Sequence, residues 1–600
     1  LAETAAAARA GGPARRLADL RVVRSRGVLA LLLLALPYLV LYLAAPGGHV
    51  YTGVLFNPSD SYLYLAQILH GHAGQLAFTD WFTHLQEPSL PIYTLYSLIG
   101  LATPARITPL SGGLAFHLAR LLLCGLFVWQ LWGLLGELLP QPAVRRAALL
   151  FTLFTAGGGL WQILLGQARP GEPPYDLFIT ESSAFAGLVF APHFALVLLL
   201  LVVYLRALWR VGRQGGDAWP ATLVGALAAA GISTVHPDKV VVLAVTTALF
   251  LAHAMPWGMR PERRLTAALQ GGLMLLGGAP YFLYSFELVL HDPQIAQLLR
   301  QGLNHESVPD PLPYYLFGYG IPGLLALAGL PGFLRHRLVP GRSGVQAGEA
   351  LLWSFAAAGL FLLFVPYHDV GHRGEGLQLA VAPLAARALV REALPRLWRR
   401  PLFARLAARR PLGYSRRRLR SLSLNLVLIL SSTSVLALAF ASVRAGLAIS
   451  AQVYPGADDR AALDWLGAHA RPADVVAADP FTAQYVAAYA GTHVVFGQQA
   501  YTPDYDRELL ALSGFLRGTD PARAYLAGHG VSWLWWGPRE RADSAGGLDP
   551  GGLDFLDVAF RSGDTVVYSV RSAPEAALGG PGASPRPDLR GETAVAPRTR

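Results

Sequence analysis

The sequence predicts an α-helical polytopic membrane protein that carries a C-terminal α/β domain. Hydrophobic residues make up 53% of the 600 and charged residues only 14%, with a mean hydropathy of +0.39; soluble chains carry about 25% charged residues. Long apolar runs alternate with short arginine-bearing loops, and such runs need lipid against their outer faces. After residue 444 the pattern changes. Residues 455–571 hold 15 acids and 9 bases and no run long enough to span.

In chain order, residues 1–26 are Ala-rich and then basic, with Arg15, Arg16, Arg21, Arg24 and Arg26, which should keep them cytoplasmic. Leu1 in the first position fits a truncated start or a non-standard start codon. The run 27–45 follows a leader too long for a signal peptide, so it reads as a retained helix. Ten further spans are expected at 113–137, 146–166, 183–206, 219–235, 240–256, 265–289, 313–331, 347–366, 376–394 and 421–444, making eleven and a transmembrane domain over 27–444. With the N-terminus inside, Arg145/Arg146, Arg206/Arg210/Arg213, Arg260/Arg263/Arg264 and Arg335/Arg337/Arg342 all face the cytoplasm. The stretch 387–420 joins them, with twelve arginines against one acid, Glu392. Every basic cluster then lies on one side.

The segment 91–104 is too short to cross, and counting it would reverse every later loop. With 60–72 it reads as interfacial helix inside a long first outer loop, 46–112. The region 455–571 should then form an extracytoplasmic domain. Helices are expected at 458–470, 482–490, 504–517 and 521–528, with strands at 475–479, 493–497, 531–537 and 565–570. Residues 573–600, rich in Pro, Gly and Ala, read as a disordered tail. The arginine-, alanine- and glycine-rich usage suggests a GC-rich genome, and the expected location is a bacterial inner membrane.

Composition also excludes. A lone cysteine, Cys124, rules out an internal disulfide and any Cys-rich metal centre. The net charge of +11 sits in loops between apolar runs, which is a topology signal, so no nucleic-acid partner is expected. P-loop, HExxH, GxSxG and dinucleotide-binding patterns are absent. The histidines fit no standard metal spacing, so no metal and no cofactor are assigned, although the donors present are compatible with a divalent ion.

Three outer-loop clusters could carry chemistry. In NPSDSYLYLAQILHGH, Asp60 falls in the first turn of a helix, where a carboxylate favours the helix dipole. It reads either as a catalytic carboxylate or as half of a Ser59/Asp60 cap on an amphipathic helix with Tyr62, Leu65 and Leu69 toward lipid. The turn VHPDKVV places His236, Asp238 and Lys239, the single lysine, between two apolar runs. A solvated turn explains it, but ionisable groups at membrane depth are functional suspects. The third, YHDVGHRGEGLQ, packs His368, Asp369, His372, Arg373 and Glu375 among glycines, a composition suited to anions and above all to phosphate. Weaker candidates are His84 with Glu87, Glu181, His291, Arg300 and His305. His193 reads as a packed helix histidine. Trp533, Trp535 and Trp536 read as core strand on at least one face, or as a docking platform.

This layout resembles the GT-C class of integral-membrane glycosyltransferases. The resemblance covers roughly 27–571, mostly as architecture. It is nearest to bacterial members of that class in NPSDSYLYLAQILHGHAGQ, the HPDK turn, HRGEGLQLAVAPLAA, ALDWLGAHARPADVVAAD and VVFGQQAYTPD. Many members carry two adjacent acids in the first loop, where this chain has Ser59-Asp60. The resemblance implies inverting transfer of a sugar from a polyprenyl-phosphate donor to an acceptor at the extracytoplasmic face, with membrane lipids around it and the acceptor unspecified. Asp60 is then the candidate base. Arg373 and His372 are the first candidates to meet the leaving phosphate, and Lys239 and His236 the second. Asp238, Glu375, His368, Asp369, Glu87 and His84 are possible supporting residues. A transporter or lipid flippase, or a non-catalytic membrane assembly subunit, is the alternative reading.

Overall fold

The computed structural model describes residues 13–85, 92–103, 109–168, 173–214, 218–258, 261–292, 295, 312–337, 345–365, 374–408, 416–447 and 453–571. The expected disordered tail at 573–600 lies outside them. Helix α1 (Pro13–Leu43) is followed by two short helices, α2 (Pro58–His72) and α3 (Thr94–Ala102), and then by the long α4 (Pro109–Leu138). On α1, Leu34 and Leu41 are buried while Leu32, Leu36 and Leu39 are exposed. On α4, Phe127 and Leu131 are inside, with Leu118, Leu122 and Trp129 outside. Rows of exposed leucine are what lipid favours and water penalises.

Among the described residues, five helical stretches are long and apolar enough to cross a membrane: Ser25–Leu43, Gly112–Leu138, Pro192–Gln214, Pro261–His291 and Leu312–Arg335. Arg418–Ser431 and Thr433–Leu447, bent by 47°, make a sixth if they act as one. Shorter apolar helices at Trp219–Ser233, Lys239–Ala254 and Gly348–Leu363 pack among them. The molecule is a multi-pass membrane protein.

Two expected spans are broken. The run 146–166 divides into α5 (Pro142–Phe154) and a single short helix, Gly159–Leu164. In the break the Ala156 N–H donates to the Ser431 carbonyl (3.2 Å) and the Gly158 N–H to that of Phe317 (2.7 Å). A Cβ on Gly157 would fall 1.9 Å from the Gly318 oxygen, so glycine is what lets the two backbones meet. The run 183–206 is interrupted at Ala191, which is extended (φ −144°, ψ 155°) ahead of Pro192, where α6 (Pro192–Gln214) begins. Proline forces its predecessor out of the helical region.

Next come α7 (Trp219–Ser233), α8 (Lys239–Gly258), α9 (Val345–Leu363) and α10 (Gln378–Ala388). Helices α4, α6, α8 and α10 start at the end of the bundle where α1, α7 and α9 finish. The opposite end is held by arginines. Arg206 and Arg210 pair with Glu137 (2.6 and 2.9 Å), and Arg145 lies over Trp132. Arg387 bridges the buried Glu349 (2.6 Å) and Glu392 (2.7 Å).

The C-terminal α/β domain contains one sheet in the order β2-β1-β3-β5-β4: β1 (Val475–Ala477), β2 (His493–Val494), β3 (Val531–Trp536), β4 (Leu556–Ser562) and β5 (Thr565–Val570). The first three run parallel, and β5 is antiparallel to both β3 and β4. Strand β4 was not expected, because Asp557 and Arg561 dilute its alternation; its hairpin with β5 supplies the missing partner. Helices α11 (Ala457–His469), α12 (Tyr505–Leu516) and α13 (Ala522–Gly528) pack against the sheet. Trp535 and Trp536 are core, and the half-buried Trp533 donates to Asp474 (3.0 Å). That places these tryptophans in the domain's own packing.

The loop after α1 and the segment before α3 are both stitched to this domain. Thr52 N–H donates to the Val453 carbonyl (3.1 Å), Ala457 N–H to that of Gly48 (2.7 Å) and Val494 N–H to that of Trp81 (2.9 Å). Thr83 bridges Phe496, so residues 81–83 cover the β2 edge of the sheet.

One stability prediction follows from the arginine-held end. Glu349→Ala leaves Arg387 buried with less compensation, and about 3 kcal/mol of destabilisation is expected. Asp554→Ala removes only an exposed pair with Arg523, where about 0–1 kcal/mol is expected. Thermal unfolding in detergent should rank them in that order, and an equal effect would contradict it.

Candidate functional site

Helix α2 opens at Pro58, whose missing N–H costs nothing in a first turn. The residue before it, Asn57, sits in the left-handed region (φ 36°, ψ 74°) and makes no side-chain cap bond. Its amide instead donates to Asp60 Oδ2, and Gln498 Nε2 donates to Asp60 Oδ1 (2.7 Å). The partly buried Asp60 carboxylate is thus held from its own helix end and from the C-terminal domain, 438 residues away. Sequence reasoning missed Gln498, although its segment VVFGQQAYTPD stood out; nothing local marks Gln498 as facing the first loop.

The expected lipid-facing side of α2 is covered by protein. Tyr62 is buried edge-on to Tyr485 (5.1 Å) and Tyr489 (6.1 Å), and Leu65 is buried too. The cause is the stitching just described, which lays the domain over the helix. On the other side α3 crosses at very close range: a Cβ on Gly100 would lie 2.0 Å from the Ile68 oxygen, and one on Gly71 equally close to the Ser97 oxygen. Gln67 donates to the Ser97 hydroxyl within this contact.

From Asp60 an aromatic and polar chain runs into the bundle end. Tyr64, one turn on, stacks on Tyr96 (4.4 Å, 8°), and the hydroxyls of Tyr93 and Tyr501 are hydrogen-bonded. Tyr96 Oη meets His193 Nδ1 (2.5 Å), and His193 stands against His236 (5.4 Å between rings). His193 is therefore packed, as expected, but packed within this chain. His236 Nδ1 pairs with Glu375 Oε2 (2.6 Å). Lys239 is fully buried, with its ammonium on Asp238 (2.9 Å) and 4.0 Å from Glu375, and Glu181 is near enough to act on it electrostatically.

Thus His236, Asp238, Lys239 and Glu375 come together, and the weaker candidate Glu181 joins them. Lys239 and His236 both face carboxylates, which ties the start of α8 to the start of α10. His368, Asp369, His372 and Arg373, like Glu87, Arg300 and His305, lie outside the described residues. His291 is exposed and pairs with Glu287 (2.9 Å). His84 belongs to a different group, with Glu508 and His529. A cleft of about 460 Å³ lined by His72, Gln75, Trp81 and His493 lies at the far end of α2, roughly 18 Å along the helix from Asp60.

The fold is that of a polytopic helical protein with a C-terminal α/β domain closed over the first loop. No family model matches the sequence, and no curated protein matches it. Among solved structures, the apo Archaeoglobus fulgidus oligosaccharyltransferase is similar over 85% of this chain and 69% of its own, at 12% identity and a TM-score of 0.47. The oligosaccharyltransferase AglB of the same organism, in complex with an inhibitory peptide and a dolichol-phosphate, matches over 84% and 69%, at 11% identity and 0.47. ArnT from Cupriavidus metallidurans in the apo state matches over 91% and 98%, at 14% identity and 0.45. At these identities no residue role passes from those proteins to this one.

His70 of α2 is buried edge-on to Trp81, and burial lowers its pKa from 6.5 to about 4. Between those values the unfolded chain binds a proton that the folded protein does not, so stability falls as pH drops from 6.5 toward 4. Thermal midpoints across that window should decline, with a shallower slope in His70→Leu. An unchanged slope in the variant would assign the acid sensitivity elsewhere.

Proposed function

We propose that this protein is an integral-membrane glycosyltransferase that moves a sugar, with inversion, from a polyprenyl-phosphate donor to an acceptor. The observation that carries the reading is the carboxylate of Asp60, aimed by Asn57 and Gln498 at the junction of the bundle end and the C-terminal domain. A donor anchored in lipid would present its headgroup at such a junction. The acceptor's nucleophile attacks the anomeric carbon while Asp60 takes its proton, and the anomeric C–O bond breaks with the electron pair leaving on the lipid phosphate. Arg373 and His372 meet that charge. Lys239, His236 and Glu375 brace the chain directly after them. The arginines at the opposite end support a cytoplasmic N-terminus and an extracytoplasmic C-terminal domain in a bacterial inner membrane. Transport would favour an ionisable site near the bilayer midplane, whereas these groups gather where helices begin and end.

Protein in lipid discs, incubated with a panel of radiolabelled polyprenyl-phosphate sugars, should release or transfer one of them. Asp60→Asn should lower turnover by about 10²–10⁴ while donor binding persists. Full activity at normal expression would remove Asp60 from the role. Arg373→Ala should weaken donor binding more than acceptor binding, and equal losses would contradict the phosphate assignment.

A further inference from the structure

His84, Glu508 and His529 converge from three separate parts of the chain. One ligand-capable atom from each lies within 4.8 Å of the other two. His84 follows the Thr83 bridge on the first loop, Glu508 is in the first turn of α12, and His529 caps α13. His529 Nδ1 donates to the Tyr525 carbonyl (2.7 Å), which leaves Nε2 facing Glu508 Oε2 (3.0 Å). A backbone carbonyl behind one ring nitrogen is the usual way a metal-binding histidine is oriented. His84 Nδ1 is buried, the ring lies beside the Val495 backbone, and it stands 4.8 Å from the ring of His529.

Glu508 is held by Arg507 (3.2 Å) on one oxygen and by His529 (3.0 Å) on the other, so its carboxylate is fixed beside the two imidazoles. A divalent ion would use all three groups at once. We propose that His84, Glu508 and His529 bind a zinc-like divalent cation that clamps the first loop onto the C-terminal α/β domain. Two nitrogens and one carboxylate oxygen suit zinc and its late first-row neighbours, whereas magnesium and calcium favour all-oxygen shells. Tetrahedral zinc with bonds of about 2.0 Å places its ligands roughly 3.3 Å apart, so atoms now up to 4.8 Å apart close by at most about 1.5 Å. Water completes the shell. The clamp extends the edge pairing of residues 81–83 and acts on the same loop that carries Asp60, yet it does not depend on the transferase reading.

The test uses untagged full-length protein in lipid discs, stripped with a chelator and titrated with zinc against a chromophoric competitor. Wild type should bind one zinc per chain and unfold at higher temperature with zinc, by mass action, while magnesium has no effect. His84→Ala, Glu508→Gln and His529→Ala should each weaken binding by at least about 100-fold, the upper end of what changes behind a ligand cause, and should lose the thermal response. His84→Gln and His529→Gln replace any alanine variant that fails to fold. No zinc bound at about 100 μM, or binding unchanged in all three variants, would overturn the proposal.

Discussion

Ten of the fifteen residues of α2 are buried, although the helix is neither long enough to span nor part of the α/β domain. The structure depends on this burial. On one side Tyr62 enters the core of the C-terminal domain beside Tyr485 and Tyr489. On the other, Gly71 and Gly100 let α3 cross at backbone contact, and Tyr64 stacks on Tyr96. Burying large aromatic rings with satisfied hydroxyls fixes orientation as well as contributing area. Asp60, at the start of this helix, inherits its position from packing that involves chain segments more than 400 residues apart.

The second ordering element is electrostatic. A buried lysine surrounded by Asp238, Glu375 and Glu181 is stable only because each charge has a counterpart within reach. Removing one partner leaves the others in a poor environment, so the group tolerates little rearrangement. It joins the start of α8 to the start of α10 and, through His236 and His193, to Tyr96 and α3. Rigid backing of this kind is what a reacting group needs from its surroundings. The arginine pairs around Glu137 and Glu349 do comparable work at the other end of the bundle.

Much of the helical layer was legible because apolar runs and arginine loops are local signals. The helices of the C-terminal domain were legible for the same reason, as Ala457–His469 and Tyr505–Leu516 illustrate. What escaped depends on partners. The glycines at 157–159 mark a weak point in a helix, but only the approach of Gly318 explains the break. Pro192 announced a boundary that the continuous apolar run around it concealed. Asp60 could be singled out from its place in a first turn, and Lys239 from being the single lysine. Gln498, Tyr501 and the pair Glu508 and His529 could not be connected to the first loop, because their significance arises when the domain folds back over α2. The amphipathic reading of α2 erred for that reason: its apolar face was real, and protein covers it.

The most direct measurement is a cryo-electron microscopy map of the Asp60→Asn protein in lipid discs with a bound polyprenyl-phosphate sugar. The anomeric carbon should lie beside the residue 60 side chain, with room for an acceptor atom roughly 3–3.5 Å from it. The lipid tail should run out between helices of the bundle, with the phosphate on the α10 side of the junction. A headgroup held deep between the spans, or in the cleft beside Trp81, would contradict it.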